Sequence, residues 1–152
     1  PNHVVQVVNT QTGAVATGTG TCSYDDTIMQ NTEGTEFMTL AITPTNSNHK
    51  LKIDVLANIN HNSTNKIVIV GLFQDSTANA LAAMNATEDL GNSPLPVGFT
   101  HFMTAGTTSS TTFKVRAGTD AAATVTFNGR DGSNRRLGGT YASTITITEI
   151  AV

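Results

Sequence analysis

The last stretch of the chain, residues 141–152, constrains the fold more than any other. Threonine and isoleucine alternate there from residue 144 to residue 148, and a period of two with β-branched residues predicts a β-strand. The alternation breaks at Glu149, which falls on the face of the isoleucines, whereas Ile150 and Val152 fall on the face of the threonines. Either a bulge changes the parity here, or the strand has apolar neighbours on both faces. We therefore expect the final strand to lie in the middle of a sheet, with the other strands arranged around it.

The composition favours an all-β protein. Of the 152 residues, 27 are threonine and 14 are asparagine, which suit strands and turns, respectively. A chain of this length forms one domain with its own core, and we assign residues 1–152 to it. The formal net charge of −3 leaves no surplus of positive charge for binding nucleic acid.

Membrane insertion and disulfide bonding are not expected either. The chain has no run of about 18 apolar residues and no segment typical of a signal peptide. Cys22 is the only cysteine, so no intramolecular disulfide can form, and we expect its side chain to be a small buried apolar group.

The spacing of strands predicts a jelly-roll β-sandwich. Turn signals recur roughly every 8 to 12 residues, as in sandwiches and barrels, and the central position of the last strand favours a jelly roll. The segment Lys66–Phe73 is apolar on both faces and is expected to be buried on both. Asp75–Met84 is the one predicted helix, since Asp75 or Ser76 can cap the alanines that follow. The other predicted strands are His3–Val8, Glu36–Thr43, Lys50–Asn60, Val97–Thr104, Thr111–Ala117 and Ala123–Asn128.

Six runs of the sequence carry a resemblance to known proteins: QVVNTQTGAVATGTGT (6–21), YDDTIMQNTEG (24–34), MTLAITPT (38–45), LFQDSTANALAA (72–83), FMTAGTTSSTTFKVRAG (102–118) and ITITEI (145–150). They resemble small bacteriophage appendage proteins and fibre tips and, more distantly, the compact jelly-roll trimers of the C1q and tumour-necrosis-factor type. The resemblance implies a homotrimer on the surface of a virion, used for capsid decoration or for attachment as a head fibre or tail-fibre tip. It implies that the partners are other copies of this chain and other virion proteins or host-surface glycans.

A virion protein of this kind would be made in the host cytoplasm without a signal peptide and would lie on the particle surface. A lectin-like glycan-binding module outside a virion is the alternative that we keep open.

Enzymatic chemistry has little support in the sequence. No two of the four histidines have metal-ligand spacing, and His101 lies on the apolar face of its predicted strand, as a core or interface histidine would. The chain has no Gly-x-Ser-x-Gly motif, and Cys22 has no evident catalytic partner. We predict no catalytic residue, no cofactor and no metal site, and we do not expect an enzyme.

Two loops carry candidate binding residues. Arg130, Arg135 and Arg136 lie within seven residues of an otherwise acidic chain, and clustered arginine suits the recognition of carboxylate or phosphate. The alternative is a solvated hairpin in which Asp131 pairs with one of the arginines.

The second candidate loop begins with Tyr24, Asp25 and Asp26. The tyrosine could stack on a sugar, and the aspartates could bind a hard cation such as calcium. Alternatively, the tyrosine is a capping hydrophobe and the aspartates form a turn.

More apolar strand faces are present than one core requires. A monomer would leave some of Val4, Val8, Ile150 and Val152 in water as a contiguous patch, which soluble monomers rarely tolerate. Closed symmetry would cover this patch, and the choice of a trimer rests on the resemblance. We therefore predict that these four residues form a trimer interface.

Overall fold

The main strands form two antiparallel sheets packed face to face. The computed structural model describes residues 2–88 and 91–152, and within them no α-helix is present. The elements are β1 (Val4–Thr12), β2 (Ala16–Gly18), β3 (Thr35–Ile42), β4 (Lys50–His61), β5 (Lys66–Gln74), β6 (Ala82–Glu88), β7 (Leu95–Thr104), β8 (Thr111–Thr119), β9 (Val125–Phe127), β10 (Gly129–Arg130), β11 (Asn134–Arg135), a 3₁₀ turn (Leu137–Gly139) and β12 (Ser143–Ile150). The first sheet has the order β1–β12–β4–β9–β2, with β7 on the other side of β4, and the second has the order β3–β8–β5–β6. The short strands β10 and β11 pair with each other in a separate hairpin.

The pairing of strands is that of a jelly roll. β1 pairs with β12, β3 with β8, β4 with β7 and β5 with β6, so the chain follows a long antiparallel hairpin. Rolling up this hairpin adds the pairs β12–β4 and β5–β8, which complete the two sheets. The fold predicted from the sequence, an all-β jelly-roll sandwich, is confirmed.

The final strand lies in the middle of its sheet, as predicted, between β1 and β4. Its alternation does not change parity, because Glu149 is buried on the same side as Ile145 and Ile147. A bulge does occur, but it lies in the neighbouring strand β1, where Val5 is the extra residue opposite the Glu149–Ile150 step.

Glu149 is a fully buried carboxylate at the end of the core. Its Oε1 accepts hydrogen bonds from the backbone N–H (2.8 Å) and hydroxyl (2.7 Å) of Thr45 and lies 2.7 Å from Nδ1 of His49. Its Oε2 accepts a hydrogen bond from Nε2 of Gln6 at 2.5 Å. Burial alone would raise the pKa of Glu149, but these hydrogen bonds outweigh it and lower the pKa to about 2. The carboxylate therefore joins β12, β1 and the turn between β3 and β4.

The alternation predicted for β4 and the burial of both faces predicted for β5 are confirmed by the structure. Alternate residues of β4 from Leu51 to Ile59 are buried between the sheets. Residues on the outer face of β5, among them Ile69 and Phe73, pack instead against Cys22 and Met29 of the loop that precedes β3. The second apolar face of β5 is thus covered by the chain itself. Cys22 is buried as expected, and burial raises the pKa of its thiol to about 12.

The predicted helix Asp75–Met84 is wrong. Asp75 has a left-handed φ of 50°, and its carboxylate accepts hydrogen bonds from the hydroxyl of Thr111 and the N–H of Thr112, so it holds a turn. Ala82 and Ala83 belong to edge strand β6, which pairs with β5 over seven residue pairs, whereas Ala78 and Ala80 lie in the segment before this strand. An isolated helix of about two turns is marginal in water, whereas the strand satisfies its backbone groups on a sheet that already exists.

A loop of residues 128–141, which we call the arginine loop, lies on the outer face of the first sheet. Asn128 is fully buried beneath it with a φ of 56°. Its Nδ2 donates to the carbonyls of Thr12 (2.7 Å) and Ala14 (3.1 Å), and its Oδ1 accepts from the Ser143 hydroxyl at 2.6 Å. This one side chain therefore joins both ends of the arginine loop to the segment after β1.

Further contacts hold the arginine loop to the sheet. The N–H of Gly132 donates to the Thr126 hydroxyl at 2.9 Å, and the N–H of Asp131 donates to Oδ1 of Asn60 at 3.3 Å. Both acceptor side chains are buried on the outer face of the sheet. The loop is thereby placed in one position by polar contacts that exclude water.

We expect Glu149→Gln to destabilise the protein by roughly 1–3 kcal/mol, because the new amide would direct its N–H groups at donors of Gln6 or Thr45. The native pKa of about 2 lies below the ordinary value of 4.5, so the stability from this carboxylate is complete above pH 4.5 and is lost as the pH falls toward 2. Urea denaturation at a series of acidic pH values measures this. Parallel pH profiles for the two proteins would contradict the assignment.

We expect Asn128→Ala to lower the free energy of unfolding by roughly 1–3 kcal/mol, since buried carbonyls and a hydroxyl lose their partner. Asn134→Ala, at an exposed position of the same loop, is the control and should stay within about 0.5 kcal/mol of the wild type. Equal losses for the two variants in urea denaturation would show that the buried network contributes nothing.

Candidate functional site

The arginine loop gives its three arginines different surroundings. Nε of Arg130 lies 3.4 Å from the Asp131 carboxylate, the pairing predicted for a solvated hairpin. The side chain of Arg135 lies over Gly139, where an added Cβ would come 3.4 Å from its Cδ. Arg136 is half-buried, and no carboxylate of the described residues lies within 4.0 Å of its guanidinium. Arg135 likewise has no carboxylate of the described residues within 4.0 Å, so two of the three arginines carry charges that are not paired within the described chain.

Arg136 lines a depression of about 400 Å³ at the edge of the arginine loop. The other residues that line it are Pro94 and Pro96 at the start of β7 and Leu137 and Tyr141 of the loop. Burial raises the pKa of Tyr141, so its hydroxyl remains protonated and can donate a hydrogen bond at neutral pH. The depression is an apolar surface with one cation at its side.

Leu137 is held in an unusual conformation at this depression. Its φ is 49°, and Gly138 and Gly139 after it are also left-handed, with φ of 65° and 91°. Its side chain is 74% exposed. A left-handed conformation is uncommon for a residue other than glycine and costs of order 1–3 kcal/mol, and this leucine gains little burial in return.

The sequence did not identify four of the residues that line the depression. Pro94 and Pro96 are more than thirty residues distant from the arginines in sequence, and only the pairing of β4 with β7 brings them close. Leu137 was the available signal, because it is a large apolar residue within a polar, glycine-rich segment.

The loop of Tyr24, Asp25 and Asp26 lies on the opposite side of the sandwich, where it covers β5 of the second sheet. Asp25 accepts hydrogen bonds from the N–H and hydroxyl of Thr27, and these bonds lower its pKa, as in the predicted turn. Tyr24 is 58% exposed beside a depression of about 180 Å³ that also contains Met84. The structure therefore does not bring the two candidate loops together.

No group of three or more His, Cys, Asp or Glu side chains that could hold a metal ion occurs in residues 2–88 and 91–152. His101 lies on the inward face of β7, where burial lowers its pKa.

The outer face of the first sheet exposes apolar side chains at the end remote from the arginine loop. We call Val4, Val7, Phe102 and Ile150 the apolar end. Val4 pairs with Ile150, and Val7 and Phe102 lie in the next row, separated by Thr148 and Lys52. The exposed fractions of Val4, Val7 and Phe102 are 57%, 56% and 59%.

Two of the four predicted interface residues belong to the apolar end. Val4 and Ile150 belong to the apolar end, and Val152 is exposed just beyond it. Val8 does not belong there, because it packs against the core. The bulge at Val5 is the reason: it places Val4 and Val7 on one face and turns Val8 inward.

In the part of the chain that the structure describes, no helix has the length and hydropathy needed to cross a membrane.

No protein-family model and no curated protein matches this chain. Among solved structures, it is similar to the C-terminal domain of the sugar-binding protein EclA, with 10% identity, a TM-score of 0.42 and coverage of 84% of this chain and 78% of that one. It is also similar to a protein of the infectious bursal disease virus particle, with 7% identity, a TM-score of 0.44 and coverage of 97% and 38%. A third similar structure is the enzymatically active domain of a bacteriophage CBA120 tailspike protein, with 15% identity, a TM-score of 0.28 and coverage of 82% and 19%. The chain thus spans most of the first of these proteins and well under half of the other two.

Proposed function

We propose that this chain is a structural protein of a bacteriophage virion, a homotrimer that decorates the capsid or forms a fibre tip and attaches to a surface. The sequence runs that resemble phage appendage proteins support the proposal, and so does the jelly roll that these runs build. The observation that carries it is the outer face of the first sheet, which presents an apolar end and an arginine loop at its two extremes.

The apolar end suits burial against other copies of the chain. Its residues occupy adjacent rows of one sheet, so a monomer would present them to water as a patch. The charged residues that β4 contributes to this face are Lys50, Lys52 and Asp54. Lys52 Nζ lies 2.8 Å from the Asp54 carboxylate, and Lys50 Nζ donates to the hydroxyl of Thr104 at 2.7 Å. Lys52 and Asp54 would keep each other as partners when the face is covered, which offsets part of the cost of removing their charges from water.

The arginine loop suits contact with an acidic surface. Along β4, the apolar end lies level with Lys50 and the base of the arginine loop lies level with Asn58. Eight residues of strand separate them by roughly 27 Å. One region of the face can therefore assemble copies while the other remains open to a partner.

We expect the wild-type protein to sediment at three times the chain mass of 15.9 kDa. Ile150→Asp should give monomer or aggregate, because a packed interface would lose an isoleucine side chain worth roughly 2–5 kcal/mol at each of three sites. Thr39→Asp, on an exposed position of the opposite sheet, should leave the mass unchanged. Sedimentation of the wild type as a monomer at micromolar concentration would contradict the trimer.

We expect the triple variant Arg130→Ala, Arg135→Ala, Arg136→Ala to bind a polygalacturonate-coated surface more weakly than the wild type. Its binding should also depend less on salt, because added salt screens the charge pairs that the variant lacks. The control is Lys66→Ala, Lys114→Ala, which removes charge from the second sheet. Equal losses for both variants would mean that net charge, and not the arginine loop, determines binding.

A glycan-binding module that acts outside a virion is the second candidate, and the depression beside Arg136 favours it. A glycan array with the isolated protein distinguishes the two. Strong binding by a protein that sediments as a monomer would favour the module.

A further inference from the structure

We propose that the depression between the start of β7 and the arginine loop binds one carboxylate-bearing sugar residue, a uronic or sialic acid, whose carboxylate Arg136 holds and whose apolar face packs on Tyr141 and Leu137. The inference deepens the proposed attachment function and rests on it for the class of surface that is met.

The shape of the depression suits a single sugar residue. Its volume of about 400 Å³ is at the small end of the range of roughly 300–1,000 Å³ found for small-molecule sites. Pro94, Pro96 and Leu137 give it apolar walls. The phenol ring of Tyr141 adds a flat aromatic surface with a hydroxyl at its tip, which suits a ligand that has one apolar face and polar edges.

The conformation of Leu137 indicates that something covers it. This residue has a left-handed backbone and an exposed side chain. Strained residues persist only where the surroundings over-determine them, and they cluster at ligand sites. A ligand that packs on Leu137 would provide the burial that the side chain lacks in the free protein.

The site is organised before a ligand arrives. The carbonyl of Leu137 accepts hydrogen bonds from the N–H (3.1 Å) and hydroxyl (2.7 Å) of Thr140. The backbone of Gly139 lies so close to Gly13 that an added Cβ on Gly13 would come 2.0 Å from the Gly139 carbonyl oxygen. Because the loop is already held, binding requires little ordering, which favours affinity for a small ligand.

The charge of the site selects a carboxylate. Asp131 pairs with Arg130, and of the two arginines without such a partner Arg136 is the one that lines the depression, so its guanidinium is placed to meet a ligand there. A planar guanidinium matches a carboxylate with two parallel hydrogen bonds. Apolar walls with one cation suit a singly charged sugar better than a phosphate, which carries more charge and no apolar face.

The test is titration of the full chain by calorimetry with D-galacturonic acid, D-glucuronic acid and N-acetylneuraminic acid. The comparison compounds are galactose, glucose, acetate and inorganic phosphate. We expect at least one acidic sugar to bind with a Kd of about 1 mM or tighter, and at least about tenfold tighter than every comparison compound. Absence of binding by all three acids, or equal binding of acetate or phosphate, would overturn the proposal.

Variants assign the binding to the site. Arg136→Ala should weaken the binding of the acidic sugar at least about tenfold. The affinity of Arg136→Lys should lie between those of Arg136→Ala and the wild type, because lysine keeps the positive charge but cannot form the two parallel hydrogen bonds of a guanidinium. Lys66→Ala, which removes one positive charge from the second sheet, should change Kd by less than about twofold. Equal effects of Lys66→Ala and Arg136→Ala would overturn the assignment.

Sedimentation separates this proposal from the trimer. If Leu137→Ser dissociates the oligomer, a second copy of the chain occupies the depression and the sugar site is wrong. A monomeric wild type that binds the acidic sugar contradicts the trimer and supports the site, whereas a trimer that binds none of the acids contradicts the site alone.

Discussion

The position of β12 between β1 and β4 is the constraint on which the rest of the molecule depends. The strand contributes Ile145 and Ile147 to the core and carries the buried carboxylate of Glu149 at its end. A buried carboxylate is tolerable only when hydrogen bonds replace the lost water. The donors come from Gln6, Thr45 and His49, so the fold at this end is complete only when three separate segments meet around one side chain.

The outer faces of the two sheets differ in how the chain covers them. On the second sheet the chain itself covers β5, since the loop with Cys22 and Met29 packs on the outer face of this strand. The first sheet keeps an open outer face, with buried asparagines and threonines under the arginine loop at one end and valines at the other. Asn128 and the side-chain oxygens of Asn60 and Thr126 have specific partners in the segments around them, which gives the loop one position. Apolar groups at the other end have no such covering in a single chain.

Local patterns predicted the elements of the fold well where hydrophobic alternation was long. The run from Leu51 to Ile59 is an example, because a sheet with one buried face requires a period of two. Local propensity gave the wrong prediction for Asp75–Met84, whose alanines favour a helix in isolation, whereas Ala82 and Ala83 pair with β5 in the protein. The prediction of which β1 residues share a face was also wrong. One extra residue at Val5 exchanges the faces of all residues beyond it, and nothing local to HVVQVV marks the position of the bulge.

The sequence by itself determined the fold class, the central final strand, the burial of β5 on both faces and the presence of an arginine cluster in an acidic chain. Each of these depends on residue types and on periodicity, which are properties of neighbours in sequence. Only the tertiary structure decided which arginine lines the depression, which prolines lie beside it and why Glu149 is buried. These depend on strand pairs whose members lie far apart along the chain, such as Pro96 with Asn58 and Gln6 with Glu149. The register of a sheet is set by the packing of all its strands together, so no single segment of the sequence contains it.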